Sequence, residues 1–328
     1  MIDTVTMAHG SGGYSTNQLI NDIFLKYFSN DLLDAMADSA VIQINSPKIA
    51  FTTDSYVVRP MQFPGGDIGR LAVCGTVNDL LCSGATPLYL SAGFILEEGL
   101  QFSDLDTVCA SMKAAAEEAG VIIAAGDTKV VEGSGGIFIN TSGIGEMTHK
   151  ESLFSNAQKD DVLIITGNLG DHHACILSQR MGIDNHINSD TAPLTDIISS
   201  LQKAGITLHG IRDITRGGLG TVLCEISNLT RLAPAINEQA IPISDEVLAL
   251  SGILGLEIMH MGNEGNMLII VPKDESDRAV RIIKDAKHGE HAAIIGSLKE
   301  GSCPVMLTKL GAAKNILPLM GEGLPRIC

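Results

Sequence analysis

The chain has 328 residues, 45% of them apolar, and a formal net charge of −16. That is long enough for two ordinary domains with sizeable cores and too apolar for disorder. No apolar run reaches the roughly 20 residues of a membrane span, and no Lys/Arg run is present to displace phosphate counterions, which argues against nucleic acid as a partner. The start, Met1-Ile-Asp-Thr-Val, lacks the basic flank and apolar core of a signal peptide and points to the cytoplasm. The seven cysteines are odd in number and form no CxxC pair, so neither a disulfide framework nor a zinc site is expected. An acidic chain of this kind binds a polyphosphate only by carrying divalent cations, and clustered aspartates are the place to hold them.

In chain order, Ser15 is placed to cap a helix running to about Phe28. Strands over Ala40 to Ile44 and Lys48 to Thr53 follow, joined by an Asn-Ser-Pro turn. A helix from Asp67 to Ser83 leads to a strand over Leu88 to Leu96, then a helix from Ser103 to Ala119 stopped by Gly120. Strands over Val121 to Ala125 and Gly136 to Gly145 end the first half. The second half repeats the grammar: a strand over Asp161 to Thr166, helices over Asp171 to Met181, Ala192 to Ala204 and Gly218 to Asn228, and strands over Ala235 to Pro242 and Met267 to Val271. A helix over Glu275 to Ala286 and a strand over Ala292 to Leu298 complete it. The expected class is α+β, with two halves of mixed or antiparallel sheets and helices on one face. The expected boundaries are 1–150, 151–310 and a mobile tail 311–328.

The chemistry concentrates at acidic residues. Asp54 closes a strand, Asp79 follows Asn78 inside an apolar helix, Asp127 follows Ala125-Gly126, and Asp213 precedes Ile214-Thr-Arg-Gly-Gly218. Asp38, before the strand at Ala40, joins the group. Carboxylates at rigid strand ends are hard oxygen ligands for Mg²⁺ bridging phosphates; each taken singly also reads as a turn-former or a solvated helix residue. Asp79 is the least ordinary, because a charged residue in a buried helix costs desolvation unless a ligand compensates it. Lys129, in Gly126-Asp-Thr-Lys129, offers a point charge to phosphate, and Arg216 stands at a Gly-Gly helix entrance, where anions are favoured. Lys129 alternatively reads as a solvated loop lysine. The stretch His9-Gly-Ser-Gly-Gly13 is like a phosphate-cradling loop but lacks the Walker pattern.

The combination of His9-Gly-Ser-Gly-Gly13, Thr53-Asp-Ser-Tyr-Val-Val58, Gly66-Asp-Ile-Gly-Arg70, Thr76-Val-Asn-Asp-Leu80, Gly84-Ala-Thr-Pro87, Gly126-Asp-Thr-Lys129, Arg212-Asp-Ile-Thr-Arg-Gly-Gly-Leu219 and the final Pro325-Arg-Ile-Cys328 resembles the HypE family of hydrogenase maturation factors. The aspartate and Gly-Gly motifs are shared with aminoimidazole ribonucleotide synthetase, selenophosphate synthetase and thiamine-monophosphate kinase; the Pro-Arg-Ile-Cys ending is the family's own. The resemblance implies ATP-dependent dehydration of a carbamoyl group carried on the protein's own Cys328, giving a thiocyanate that supplies the iron-bound cyanide of nickel-iron hydrogenase. It implies a carbamoyltransferase partner, HypF, which loads the thiol, an iron-carrying HypC-HypD complex downstream, and a homodimer formed by the N-terminal sheets with the ATP site near that interface. The last residue suits a substrate better than a nucleophile, since its own terminal carboxylate disfavours the thiolate, with Arg326 partly offsetting it.

By the same resemblance, Asp38, Asp54, Asp79, Asp127 and Asp213 hold metal and nucleotide, and Asn78, Thr128, Lys129, Thr215, Arg216, Gly217 and Gly218 contact ATP. Ser39 stands where relatives often carry a second acid, which leaves Asp38 less secure. Glu264, in Gly262-Asn-Glu-Gly265, is the expected base, or alternatively a hairpin-turn glutamate; His9 is the second candidate base or phosphate ligand, and Glu225 a weaker one for the nucleotide site. Gly321 and Gly323 are the expected hinge of the tail and Pro325 its stiffener. Two other readings stand beside this one: a superfamily relative acting on a free metabolite, and a non-catalytic carrier that presents Cys328 to other maturation proteins.

Overall fold

The computed structural model describes residues 4–11, 13–37 and 39–319. The first half consists of α1 (Tyr14–Leu19), α2 (Leu25–Phe28), β1 (Ile49–Tyr56), β2 (Gln62–Phe63), β3 (Gly66–Asp67), α3 (Ile68–Cys82), β4 (Thr86–Glu97), α4 (Phe102–Ala119), β5 (Ile122–Val131) and β6 (Ile137–Glu146). The second adds β7 (Val162–Ile165), α5 (Asp171–Met181), α6 (Thr195–Lys203), β8 (Gly210–Asp213), α7 (Gly218–Thr230), β9 (Leu232–Asn237), α8 (Asp245–Leu254), β10 (Met267–Val271), α9 (Ser276–Asp285), β11 (Ala293–Glu300), β12 (Val305–Leu307) and β13 (Ala313–Asn315).

The first half is a four-stranded sheet in the order β1-β6-β4-β5, antiparallel except for the β4–β5 pair that α4 connects. Along β1 the pleat turns Thr52, Asp54 and Tyr56 toward the interior and leaves Ile49, Phe51, Thr53 and Ser55 outside. Helix α3 covers the inner face. Asp67 starts it by accepting the Arg70 backbone N–H at 2.8 Å. Its residues are buried nearly all round because the sheet, α4 and the second half enclose it, so it has no solvent stripe.

The second sheet has seven strands in the order β13-β12-β9-β11-β7-β10-β8, antiparallel except for β12–β9. Every residue of β7 and β10 is buried. Val162, Ile164 and Ile269 pack with α5, α6 and α9, while Leu163, Ile165, Leu268 and Ile270 pack with α7. Helices on one face only were expected; this sheet carries them on both, which is why its central strands are uninterrupted apolar runs.

Other expectations are corrected. Residues Ala40 to Ile44 form no strand: Val41 is 86% exposed, and the segment has no ladder partner among the described residues. The first helix begins at Tyr14 and is interrupted by a π-helical stretch, Ile20–Phe24. Strand β5 continues six residues past Ala125, so Asp127 and Lys129 lie within a strand and not in the turn after it. Asp54 likewise sits inside β1. The strand expected over 235–242 is β9, displaced toward the N-terminus, and β8, α8 and β12 were not anticipated. Residues 313–315, expected in the tail, pair with β12. Gly321, Gly323, Pro325, Arg326 and Cys328 lie outside the described residues, as does Asp38.

Candidate active site

The two halves meet along α3. An asparagine in a buried helix has to find partners for its amide, and Asn78 finds them across the seam. Its Nδ2 donates to the Ala192 carbonyl at 3.0 Å and to the Glu264 carbonyl at 3.5 Å, and its Oδ1 accepts the Leu194 N–H at 3.0 Å. That amide is therefore committed to holding the second half in place, where nucleotide contact was expected. About two helical turns earlier Arg70 repeats the device, donating to the Thr191 carbonyl at 2.8 Å and to Glu118 at 2.9 Å.

The position after Asn78 lies at the seam so formed. The Thr52 hydroxyl donates to Asp79 Oδ2 at 3.0 Å, and Asp54 lies two residues further along the same face of β1. From the second half, Asp213 ends β8 and Glu264 occupies the turn before β10; the β8–β10 register sets Asp213 opposite Met267. These carboxyls feel one another. Burial first, then Asp213 and Asp54, push Asp79 up to about 6 against the pull of the Thr52 bond. Burial, followed by Asp190, Asp213, Asp54 and Asp79, pushes Glu264 well above the usual carboxylate range. Four chain segments thus bring half-buried negative charge together at one seam. Arg212, whose charge reaches Asp79, is itself paired with Glu225 at 3.0 Å.

Such a donor set fits Mg²⁺, which takes one or two carboxylates and completes its shell with water and phosphate oxygens. No three acidic, histidine or cysteine side chains among the described residues converge as a self-sufficient metal cage. The fit is to a cation that arrives with a polyphosphate.

The remaining predicted residues are distributed differently. In the β4–β5 register Asp127 lies opposite Gly93 and Lys129 opposite Ile95, which places both on the outer face of the first sheet. They pair with each other at 3.8 Å, with side chains 73% and 69% exposed. Thr128, between them, alternates to the inner face. The four described aspartates consequently do not all gather within one chain: Asp54 and Asp127 occupy opposite edge strands and opposite faces. His9 sits in a short helical turn, Met7–Gly10, with its ring edge-on to Phe102 at 5.2 Å and its Nδ1 accepting the Thr6 N–H at 3.0 Å. His9 is thus packed and buried in the first half. Thr215 and Arg216 precede α7. Gly217 and Gly218 adopt φ of 83° and 62°, and a Cβ on Gly218 would stand 2.6 Å from the Met259 carbonyl, so the Gly-Gly pair is required by the turn itself. Glu225 faces outward in its ion pair with Arg212.

One residue of this site was not anticipated. Asp190 Oδ1 accepts the Glu264 backbone N–H at 2.9 Å. No motif or spacing marks it, since it meets Glu264 only through the fold.

Comparison with known proteins agrees with this architecture. The N-terminal domain of AIR synthase related proteins matches residues 36–147, and the C-terminal domain matches residues 158–306. Carbamoyl dehydratase HypE of Azotobacter vinelandii is 40% identical over 332 residues, covering 99% of this chain and 97% of that protein. The chain belongs to the HypE family. A crystal structure of the hydrogenase maturation protein HypE in complex with ATP superposes with a TM-score of 0.95 at 42% identity, covering 99% of this chain and all of that one. The HypE chain in a HypE–HypF complex gives 0.81 at 40% identity, covering 92% of this chain and 99% of that one. As a HypE-family member the chain is a hydrogenase maturation factor of the carbamoyl dehydratase type. Among the described residues no helix is long and apolar enough to cross a membrane.

Proposed function

We propose that this HypE-family chain uses ATP and Mg²⁺ to dehydrate an S-carboxamide on its own Cys328 to an S-cyanide, the cyanide source for the iron of nickel-iron hydrogenase. The observation that carries the proposal is the seam cluster of Asp54, Asp79, Asp213 and Glu264, whose mutual repulsion is relieved by a cation-polyphosphate ligand. The ATP complex of a relative supports the nucleotide, and the HypE–HypF complex supports a HypF-type carbamoyltransferase as the donor's carrier. By family resemblance, a HypC-HypD iron complex takes up the cyanide.

The amide oxygen of the carboxamide is a poor leaving group. Transfer of the γ-phosphoryl group to that oxygen, with loss of one N–H proton, gives an O-phosphorylated thioimidate and ADP. Loss of the second N–H proton and departure of the oxygen as phosphate leave the S–C≡N group. Glu264 takes the proton: its burial and acidic neighbours raise its proton affinity above that of an ordinary carboxylate. Asp54, Asp79 and Asp213 are the residues that would hold Mg²⁺, whose chemistry there is to neutralise charge on phosphoryl oxygens. Lys129 adds a point charge to the transferred group.

Within one chain Lys129 and the seam cluster lie on opposite faces of the sheet. A homodimer packing the outer faces together resolves this if the β5 edge of one chain lies against the β1 edge of the other, where Asp127 and Lys129 would reach round to the seam. That outer face is suited to pairing: Phe51 is 67%, Ile49 49%, Ile95 46% and Ile122 45% exposed, all on the side away from α3. The proposal is tested by supplying carbamoyl donor, carbamoyltransferase and MgATP and weighing the C-terminal peptide. A carbamoyl adduct followed by loss of one water is expected, and Cys328→Ala should abolish both while MgATP binding persists. Absence of the adduct, or an adduct that never loses water with ATP, would rule it out.

A further inference from the structure

Strands β12 and β13 are antiparallel with Val305 opposite Asn315, and the pairing runs one step further, where the Ile316 N–H donates to the Pro304 carbonyl at 2.9 Å. A hydrogen-bonded antiparallel pair returns a second bond, but Pro304 has no N–H to give to the Ile316 carbonyl. Ile316 is buried in one apolar cluster with Met306 and Cys224, where an unpaired carbonyl is costly. Two thiols fill the gap. Cys224, on α7, donates to the Ile316 carbonyl at 3.6 Å, and Cys303, in the turn between β11 and β12, reaches the same oxygen at 4.0 Å. Burial, followed by Cys303 and Glu225, pushes the Cys224 thiol up, which keeps it in the S–H form that donates. Both cysteines are free, Cys224 buried and Cys303 half-buried. Three segments distant in sequence therefore meet at two thiols and one carbonyl, and the chain beyond that carbonyl leads on through Leu319 to Cys328.

We propose that Cys224 and Cys303 form a redox-sensitive anchor for the root of the C-terminal segment: as thiols they pin the Ile316 carbonyl, and as a disulfide they release it. The oxidant is a peroxide. Cys303, the more accessible sulfur, attacks one peroxide oxygen; the O–O bond breaks, Cys303 becomes a sulfenic acid and one water leaves. The Cys224 sulfur then attacks that of Cys303, the S–S bond forms as the S–O bond breaks, and the hydroxyl departs as a second water with the Cys224 proton. Two electrons have passed from the thiols to the peroxide. Neither sulfur then carries a proton to donate, and the Ile316 carbonyl is left without the partners that stand in for the missing Pro304 N–H. The consequence for presenting Cys328 rests on the proposed function; the anchor itself does not.

The test uses the full-length chain with Cys328→Ala, so that the tail thiol does not compete. The protein is treated with hydrogen peroxide, its remaining thiols are alkylated, and its peptides are mapped by mass without reduction. A Cys224–Cys303 cross-link is expected. Hydrogen exchange over residues 313–319 should then quicken at least about threefold, while exchange in α7 and over 301–307 should not, since the new bond ties those segments together. Adding Cys303→Ser, which keeps an O–H donor and cannot be oxidised, should give the slow exchange of the reduced protein with or without peroxide. Cys303 converted to sulfinic acid, or joined to any cysteine other than Cys224, overturns the inference. So does a cross-link that leaves 313–319 unchanged or quickens the whole second half equally. Should Cys303→Ser not fold, reducing the cross-linked protein with a dithiol must restore slow exchange over 313–319, and failure to restore it overturns the inference. None of these readouts uses turnover, so their failure counts against the anchor, whereas absence of thiocyanate counts against the proposed function.

Discussion

The two faces of the four-stranded sheet carry the same kinds of residue and put them to different use. On the inner face Asp54 meets Asp79 of the covering helix α3, both half-buried at the seam with the second half, and Asp79 is pushed up to about 6. On the outer face Asp127 and Lys129 form a 3.8 Å pair with both side chains more than two-thirds exposed, a geometry that contributes little on its own. An aspartate becomes part of a site through what excludes water around it and which charges share the space. Under the proposed function, cation binding falls to the inner face and phosphate neutralisation to the outer face of a second copy.

The largest effect should come from the inner face. Asp79→Asn is expected to weaken MgATP binding about a hundredfold, or ~3 kcal/mol by calorimetric titration. Without metal the sign reverses. Asp79 has its folded-state pKa raised from 3.8 to about 6, so its ionised form costs stability above that range and the cost vanishes below the unfolded value. Metal-free Asp79→Asn should therefore be more stable than wild type by ~1–3 kcal/mol at pH 7.5, and denaturant curves should converge as pH falls toward 4. A metal-free variant less stable than wild type at pH 7.5 would break the comparison at its stronger end. Asn78→Ala should destabilise the chain by ~2–4 kcal/mol, because the Leu194 N–H and Ala192 carbonyl lose buried partners. On the outer face, Phe51→Asp should shift sedimentation from dimer to monomer while leaving the metal-free fold intact. Smallest of all, Lys129→Ala should change the unfolding free energy of the metal-free protein by no more than ~0.5 kcal/mol, although it lowers the dehydration rate.

Much of this contrast could be read from the chain. The apolar runs at 162–165 and 267–271, the stop at Gly120 and the Gly217-Gly218 turn announce themselves through local chemistry, and Asp54, Asp79 and Asp213 stood out as acids in rigid or apolar settings. The face on which Asp127 projects was not readable, since it depends on β5 continuing to Val131 and on a register shift opposite Leu90 and Ser91. A strand's side-chain period is two, and one extra residue reverses the facing of everything after it. Asn78 takes its role from partners in the other half, and Asp190 from a turn 74 residues further along the chain, which no spacing encodes. Helix α8 carries its own local signals: Ser244 caps it through the Val247 N–H, Asp245 and Glu246 fill its first turn, and Gly255 closes it in the left-handed conformation. The run at Ala40 to Ile44 has a strand's composition but nothing to pair with.

Mixing protomers tests the central claim most directly. Asp79→Asn disables the inner-face half of a site and Lys129→Ala the outer-face half, so each homodimer should be nearly inactive. If one site is built from the inner face of one chain and the outer face of the other, exchanging the two variants places both lesions in one site of each mixed dimer and leaves its other site intact. Thiocyanate formation should then recover to roughly a quarter of the wild-type rate per dimer. No recovery on mixing, with mixed dimers verified by mass, would contradict the account and return both groups to a single chain.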